Sequence, residues 1–225
     1  SSLTVNGTST LAGNITTSGA QTYTGDVTLG ADLALTGTTI TTKGVVTGGT
    51  HSLGVTGNAV FGDGATDTLT GLTTLSVSGT TGIYTNTVTT TGAQTYTGAV
   101  TLGISTSLTA SVISTSATIT AGNNNLTLIV DALNLGANVT GGSGALSIQP
   151  NNIADTIGVG SASGTNTLQL SDVAIGYFTS GTNFSSVVIG SPTGTGKLSY
   201  HMTTPIDFPS NLTLQNVGSE GLVID

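Results

Sequence analysis

The sequence is poor in the residues that usually carry charge and chemistry. Its 225 residues include no cysteine and no tryptophan, and besides two histidines its basic side chains are only Lys43 and Lys197. The lack of cysteine excludes disulfides but fixes no compartment, because cytosolic proteins and many bacterial exoproteins lack them alike. With two lysines and no arginine the chain has no electrostatic footprint for phosphate, which excludes nucleic acid as a partner and a basic helix lying on a membrane surface.

Long apolar runs are also missing. The longest, Leu126 to Leu133, is interrupted by Thr127 and Asp131 and is far shorter than the about 20 residues of a transmembrane helix, so we expect no membrane insertion. The net charge is −8, with the acidic residues spread singly. Such sparse charge among many Thr, Asn and Gly residues is typical of a secreted, extracellular or cell-surface protein. The start at Ser1, without methionine or signal sequence, predicts a processed product or an excised fragment.

What the sequence does contain is a short-period apolar pattern. Hydrophobic residues make up 36% of the chain and the mean hydropathy is +0.30, which argues against a disordered Gly/Ser/Thr tract. They recur in pairs separated by one residue, as in Leu3-Thr-Val5 and Val27-Thr-Leu29, and Gly or Asn closes most of these triplets. Such alternation predicts short β-strands with sharp bends between them, and no helical periodicity competes with it.

A long-range repeat indicates how the strands are arranged. The segment 19–30 returns at 92–103 with one change, Asp26 to Ala99, and with the likeness upstream the internal duplication covers 3–30 and 75–103. The triplets recur at roughly 20 to 25 residues, the length of one solenoid turn. A β-sandwich is the alternative, because some strands follow one another after about 8 to 12 residues. The duplication favours an all-β solenoid, a parallel β-helix of about ten turns and about 50 Å.

One solenoid is predicted to span residues 1–225. Residues 1–150 are Thr-rich, whereas 151–225 hold most of the aromatic residues and prolines. The strand triplets keep their spacing across this boundary, so we expect no second domain. We expect less regular turns after it, with larger loops around 177–183 and 201–209.

Asp63 and Asp67 form a weak candidate calcium site. The segment Gly62-Asp-Gly-Ala-Thr-Asp67 is similar to the calcium-binding nonapeptide repeat, in which glycines expose carbonyls and an Asp closes each loop. That repeat needs tandem copies, and this chain has one, so a turn capped by an Asp side chain is the alternative. The histidines, His51 and His201, have no second ligand at metal-binding spacing, and we predict no metal there.

Tyr23 and Tyr96 are candidates for glycan contact. They occupy the same place in the two copies of the repeat, each between threonines. Either tyrosine is an outward platform on which a sugar stacks or an inward filler of the core, and the flanking threonines leave both directions open.

A carbohydrate-active enzyme is the catalytic alternative on the same fold. Such chemistry needs acids clustered on adjacent turns, usually with a basic residue that stabilises developing negative charge. Asp131 and Asp155 are spaced to stack one turn apart, but the chain has no arginine and both lysines are distant in sequence. We therefore predict no enzyme and no cofactor.

The second half of the chain resembles a known group of proteins. The patterns Asp155-Thr-Ile-Gly-Val-Gly160, Thr167-Leu-Gln-Leu-Ser171 and Phe184-Ser-Ser-Val-Val-Ile-Gly190 resemble repeats of filamentous-haemagglutinin-like bacterial exoproteins. The resemblance covers most of 120–200 and implies a right-handed β-helix in the shaft of a secreted adhesin. Adhesion to a host or neighbouring cell surface or its glycans, or a role in biofilm, is the function that it implies.

A self-assembling extracellular filament is the second functional hypothesis. Both ends of a β-helix present unpaired strand edges, so copies of the chain are able to stack head to tail. A carbohydrate-binding or carbohydrate-active β-helix is the third hypothesis.

Overall fold

The computed structural model describes residues 1–161, 166–179, 184–202, 211–216, 218 and 221–224. Short strands dominate this part of the chain, and one short helix interrupts them. The elements are β1 (Leu3–Val5), β2 (Ser9–Leu11), β3 (Ile15–Thr16), β4 (Gln21–Tyr23), β5 (Val27–Leu29), β6 (Leu33–Thr42), β7 (Val46–Thr47), β8 (Leu53–Phe61), β9 (Thr68–Leu72), β10 (Leu75–Val77), β11 (Thr81–Ile83), β12 (Thr87–Thr90), β13 (Ala93–Tyr96), β14 (Val100–Leu102), β15 (Thr106–Thr115), β16 (Ile119–Gly122), β17 (Leu126–Leu135), β18 (Val139–Gly141), β19 (Ala145–Gln149), β20 (Ile157–Gly160), β21 (Leu168–Leu170), α1 (Asp172–Thr179), β22 (Ser186–Gly190), β23 (Leu198–His201), β24 (Asn211–Gln215) and β25 (Leu222–Ile224).

The strands wind into a parallel β-solenoid of about ten turns, which confirms the predicted fold. Each regular turn contributes three strands, and each strand pairs in parallel with its counterpart one turn later. Partners are mostly 18 to 20 residues apart: Leu3 pairs with Gln21, and Gln21 with Ile40. The longest interval within the regular turns is that from Val46 to Leu69.

The solenoid has three faces. The first face stacks β1, β4, β6, β8, β11, β14, β16 and β18. The second face stacks β2, β5, β7, β9, β12, β15, β17, β19, β22 and β24. The third face stacks β3, the first halves of β6 and β8, then β10 and β13, and finally the second halves of β15 and β17. The long strands bend around a corner and so belong to two faces.

Alternation along each strand builds the core. In β5, Val27 and Leu29 are buried and Thr28 between them is exposed. The parallel register places like positions above one another, so Leu33, Leu53 and Leu75 form one inward column. All three are at most 4% exposed. Burying such a side chain contributes about 1.5 to 3 kcal/mol, and this repeated gain stabilises a chain with little charge.

Asn and Asp side chains join successive turns at the corners. Asn14 Oδ1 accepts a hydrogen bond of 2.8 Å from the backbone N–H of Ala34, one turn later. Asn58 Oδ1 accepts one of 2.9 Å from the N–H of Thr80. The bends interrupt the backbone ladder, and these side chains accept from N–H groups that would otherwise lack a protein partner. This is the physical reason that Asn and Asp follow so many strand triplets.

Glycines stack where the third face turns into the first. Gly57, Gly79 and Gly98 are neighbours in this corner column on three successive turns. A Cβ on Gly98 would lie 2.3 Å from the carbonyl oxygen of Gly79, and one on Gly79 would lie 2.5 Å from that of Gly57. The turns approach too closely here for any side chain, so the corner requires glycine irrespective of its dihedral freedom.

The regular winding changes after β19. From Ile148 to its partner Ile189 the chain takes 41 residues instead of about 20. The additional length forms β20 and β21, which pair with each other, and β20 then pairs with β23. The strands β21, β20, β23 and β25 form a separate four-stranded sheet, and β21 packs against β17 of the main solenoid.

Helix α1 is an element that the sequence analysis did not predict. It packs against β17, β18, β20 and β21 and buries Ile175 and Phe178. Ser171 caps it, because its Oγ accepts a hydrogen bond of 3.2 Å from the N–H of Ala174. Of the loops expected at 177–183 and 201–209, residues 177–179 lie in α1, whereas 180–183 and 203–209 lie outside the described residues.

Replacing Gly98 with Ala is expected to destabilise the solenoid by about 1 to 3 kcal/mol, because the new Cβ overlaps the backbone of the preceding turn. Gly13→Ala is the matched control, since a Cβ there meets nothing within 4 Å. Chemical denaturation of the two variants measures the difference. Equal denaturation midpoints for Gly98→Ala and the wild type would contradict the steric role of this corner.

Candidate functional site

Tyr23 and Tyr96 point into the core. Both are 0% exposed, so of the two directions left open by the sequence the inward one is correct, and the outward glycan platform is wrong for both residues. Their neighbours along each strand, such as Thr22 and Thr95, take the outward positions instead.

A buried glutamine explains why tyrosine is tolerated inside. The hydroxyl of Tyr23 donates a hydrogen bond of 2.9 Å to Gln21 Oε1, and Gln21 is itself 0% exposed. Gln21 Nε2 donates to the carbonyl oxygens of Ile15 at 3.1 Å and Thr36 at 2.9 Å. These carbonyls lie on two successive turns beside the same corner, and the amide satisfies both of them away from water.

The second copy reproduces this network. Tyr96 donates to Gln94 Oε1 at 3.0 Å, and Gln94 Nε2 donates to Val88 O at 3.1 Å and Thr109 O at 2.9 Å. In each copy the glutamine reaches the carbonyl six residues before it and the carbonyl fifteen residues after it. The identical spacing in the two copies shows that the Gln-Thr-Tyr segment is an internal hydrogen-bonding unit of the solenoid.

The two copies of this unit lie on different faces. Gln21 belongs to β4 on the first face, and Gln94 belongs to β13 on the third face. Their neighbours in the stack nevertheless match. Gln21 lies between Leu3 and Ile40, Gln94 lies between Leu75 and Ile113, Tyr23 lies between Val5 and Thr42, and Tyr96 lies between Val77 and Thr115. The faces are therefore locally equivalent.

Asp67 caps a turn with its side chain. Its Oδ2 accepts hydrogen bonds from the N–H groups of Asp63 at 2.8 Å and Gly64 at 3.0 Å, and the side chain is buried. This is the turn that the sequence analysis gave as the alternative to calcium binding. Among the described residues, no three His, Cys, Asp or Glu side chains come close enough to hold a metal ion.

The other acidic candidates do not meet. Asp131 Oδ1 accepts a hydrogen bond of 3.1 Å from the N–H of Asn151, so Asn151 is its neighbour one turn later, and the stack of Asp131 on Asp155 that the spacing allowed does not form. The turn here is 20 residues long, and Asp155 lies four residues further along the chain. Within the described residues the structure therefore brings these two acids into no shared hydrogen bond.

Asp32 and His51 lie beside a shallow groove at another corner. The backbone N–H of Ser52 donates to Asp32 Oδ1 at 2.9 Å and holds the pKa of that carboxyl below its usual value, with smaller contributions from the Ser52 side chain and His51. His51 Nδ1 is 3.7 Å from Asp32 Oδ1. Because the carboxylate is fully exposed, this contact is a weak surface pair.

A different groove holds an exposed aromatic ring. It has a volume of about 410 Å³ and is lined by Thr41, Lys43, Val60, Gly62, Asp63 and Tyr84. We call it the Tyr84 groove. Tyr84 is 42% exposed, unlike the other tyrosines of the regular turns. The groove combines an aromatic surface with one cation and one carboxylate, and it is the part of the described surface best suited to holding a ligand.

Three successive turns form the Tyr84 groove. Lys43, Gly62 and Tyr84 follow the paired residues Thr42, Phe61 and Ile83, so they stack in one outward column at the end of the first face. Backbone hydrogen bonds of 2.8 Å from Gly62 to Thr42 and from Tyr84 to Phe61 fix this register. The site was not predicted from the sequence because Lys43 and Tyr84 are 41 residues apart. They are seen to lie in one column only when the register of the turns is known.

No protein-family model matches the chain, and no curated protein or solved structure matches it either. Among the described residues no helix has the length and apolar character needed to cross a bilayer.

Removing the buried amide is expected to destabilise the fold strongly. Gln94→Leu keeps the volume but leaves the Val88 and Thr109 carbonyls and the Tyr96 hydroxyl without their partner, at a cost of about 2 to 5 kcal/mol. Tyr96→Phe should cost about 1 kcal/mol, whereas the exposed control Tyr84→Phe should change stability by less than about 0.5 kcal/mol. Urea denaturation of the three variants measures this order. A Gln94→Leu variant as stable as wild type would refute the role of the network.

The buried tyrosines are expected to make the fold sensitive to alkali. Burial raises the pKa of Tyr96 and of Tyr23 above the ordinary value of 10.0. The unfolded chain therefore loses these protons first, and stability is full below about pH 10 and falls as the pH rises further, by up to about 1.4 kcal/mol per pH unit for each tyrosine. Unfolding free energies from pH 8 to 11 should fall less steeply for Tyr96→Phe. Parallel curves for the variant and the wild type would show that the raised pKa of Tyr96 does not cause the loss of stability.

Proposed function

We propose that this chain is a structural and adhesive shaft segment of a secreted cell-surface protein. The observation that carries the proposal is the continuous stack of parallel strands. On the second face ten strands follow one another from β2 to β24, each paired with the next. A rod of this kind spans a distance and resists bending, because every turn is hydrogen-bonded to its neighbours.

The surface supports a mechanical role. The chain has only two lysines and ten acids in 225 residues, and threonine side chains occupy the outward positions of many strands, as at Thr10, Thr28 and Thr47. A single threonine hydroxyl or isolated charge on such a surface binds a partner only weakly. Adhesion by such a shaft would come from weak contacts repeated over many copies, so that multivalency supplies the affinity.

An extracellular location agrees with the composition and with the resemblance to filamentous-haemagglutinin-like repeats. Low charge and abundant Thr, Gly and Asn suit a protein whose solubility depends on a neutral polar surface. A packed solenoid also protects its backbone from proteases, because cleavage requires local unfolding and strands paired on both sides open rarely. Host or neighbouring cell surfaces and their glycans are the proposed partners.

A self-assembling filament is the second candidate. In the first turn β1, β2 and β3 each pair only with the following turn, and Leu3, Val5 and Ile15 beside these edges are only half-buried. Such edges accept either a further turn of a longer chain or a second copy. Electron microscopy across a concentration series separates the two: short rods of constant length support the shaft, and fibres one molecule wide support the filament.

Rigidity provides the direct test of the shaft. Because the chain has no native cysteine, nitroxide labels attach only at introduced ones. Thr10 and Gln149 are outward residues seven turns apart on the second face, which corresponds to about 34 Å at the spacing of parallel strands. Double electron–electron resonance on Thr10→Cys/Gln149→Cys should give a narrow distribution, and the control pair Thr28→Cys/Gln149→Cys should shift it by about 5 Å. Broad distributions for both pairs would overturn the proposal of a rigid shaft.

A further inference from the structure

We propose that the Tyr84 groove binds a neutral pyranose ring of a glycan. This inference goes beyond the shaft function and does not depend on it, because rigidity and groove binding are measured separately. The shape of the groove, the way in which the tyrosine ring is held and the charges around it all favour such a ligand.

The groove has the width of one sugar ring. Lys43 and Tyr84 lie two turns apart, or about 10 Å, and Gly62 between them has no side chain to fill the gap. A ring stacked on Tyr84 at a carbon–carbon distance of about 3.5 to 4 Å would leave about 6 Å to the level of Lys43, a gap that the long Lys43 side chain can span to reach a ring hydroxyl. Val60 and Thr41 form the floor. A Cβ on Gly62 would lie 2.9 Å from the carbonyl oxygen of Tyr84, so this position admits no side chain and the space between Lys43 and Tyr84 stays open.

Glycines also support the tyrosine ring from the other side. A Cβ on Gly103, one turn later, would lie 2.2 Å from Cδ1 and Cε1 of Tyr84 and 3.0 Å from Cγ. A Cβ on Gly82 would lie 3.2 Å from Cε2. The ring thus lies against the bare backbone at Gly82 and Gly103, and its exposed part lines the groove. The electron-rich face of an aromatic ring attracts the C–H groups of a pyranose.

Polar groups stand on both sides of the open ring face. Lys43 is an exposed donor, and Asp63 is an exposed acceptor at the rim. The hydrogen bonds from Asp63 N–H and Gly64 N–H to Asp67 fix the loop that carries Asp63. Asn86 anchors the same loop, since its Nδ2 donates to Ala65 O at 2.5 Å. The turn that was a calcium candidate in the sequence thus positions a carboxylate beside the aromatic ring.

The charges favour a neutral sugar over an acidic one. A donor and an acceptor on either side of an apolar surface match the vicinal hydroxyls of a hexose, which donate and accept. A uronic or sialic acid would bring its carboxylate into a groove that Asp63 lines and would approach a chain of net charge −8. Both interactions are repulsive, and the single Lys43 offsets only part of them.

Titration by NMR tests the proposal. The ¹⁵N-labelled chain is titrated with the methyl glycosides of glucose, galactose and mannose, with N-acetylglucosamine, and with galacturonate as the acidic comparison, each to about 50 mM because a single exposed site should bind in the millimolar range. We expect at least one neutral sugar to shift the amide signals of residues 41–43, 60–63 and 84. We expect galacturonate to bind more weakly than its neutral counterpart galactoside.

Variants separate stacking from a structural effect. Tyr84→Ala should weaken binding at least about fivefold, and Tyr84→Phe, which keeps the ring, should stay within about twofold of wild type. Thr120→Ala, on the same face but away from the groove, is the control for unspecific effects. Tyr84→Phe and Thr120→Ala should keep the wild-type melting temperature, whereas Tyr84→Ala loses the packing of the ring on Gly82 and Gly103 and is titrated at a temperature at which its amide spectrum shows it fully folded. Absence of shifts with every neutral sugar, unchanged affinity in Tyr84→Ala, or tighter binding of galacturonate would each overturn the proposal.

Discussion

Parallel pairing between turns is the interaction on which the rest of the structure depends. It fixes the distance between successive turns, so whatever occurs at a corner must fit within one strand spacing. The carbonyls and N–H groups that the bends release must find partners on the adjacent turn. Asn14 and Asn58 supply acceptors on the outside of the corners, Gln21 and Gln94 supply donors on the inside, and glycine occupies the places where even a methyl group is too large.

Much of the fold could be predicted because alternation of apolar and polar residues depends only on local sequence, and a solenoid repeats that local pattern. The direction of Tyr23 and Tyr96 could not be decided from their threonine neighbours. The deciding partner is the glutamine two residues earlier, which shares the inward side and accepts from the hydroxyl. Helix α1 was missed because Gly176 and the short length weaken its helical pattern, although Ser171 is a recognisable cap. The resemblance to filamentous-haemagglutinin-like repeats and the domain description stay predictions.

The Tyr84 groove could not be predicted from the residues next to Tyr84 in the sequence. Tyr84 has no sequence motif around it, and its environment is made by Gly62 and Gly103, which lie one turn before and one turn after it. Only the register brings them together, and an inserted residue in either turn would change which side chains flank the ring. By contrast, Asp63 and Asp67 form a motif that is recognisable in the sequence and has two interpretations, a calcium site and a turn cap. The hydrogen bonds of Asp67 to the N–H groups of Asp63 and Gly64 show that it caps the turn.

The equivalence of the faces determines where corresponding residues lie on the surface of the solenoid. Because the two copies of the Gln-Thr-Tyr unit are offset by three turns and two further strands, residues that correspond in sequence point away from the axis in different directions. A flat surface lying along the rod therefore meets one copy and not the other. Duplication within this chain distributes matching groups around the circumference of the solenoid, so the recurring sequence does not produce a continuous stripe along one face.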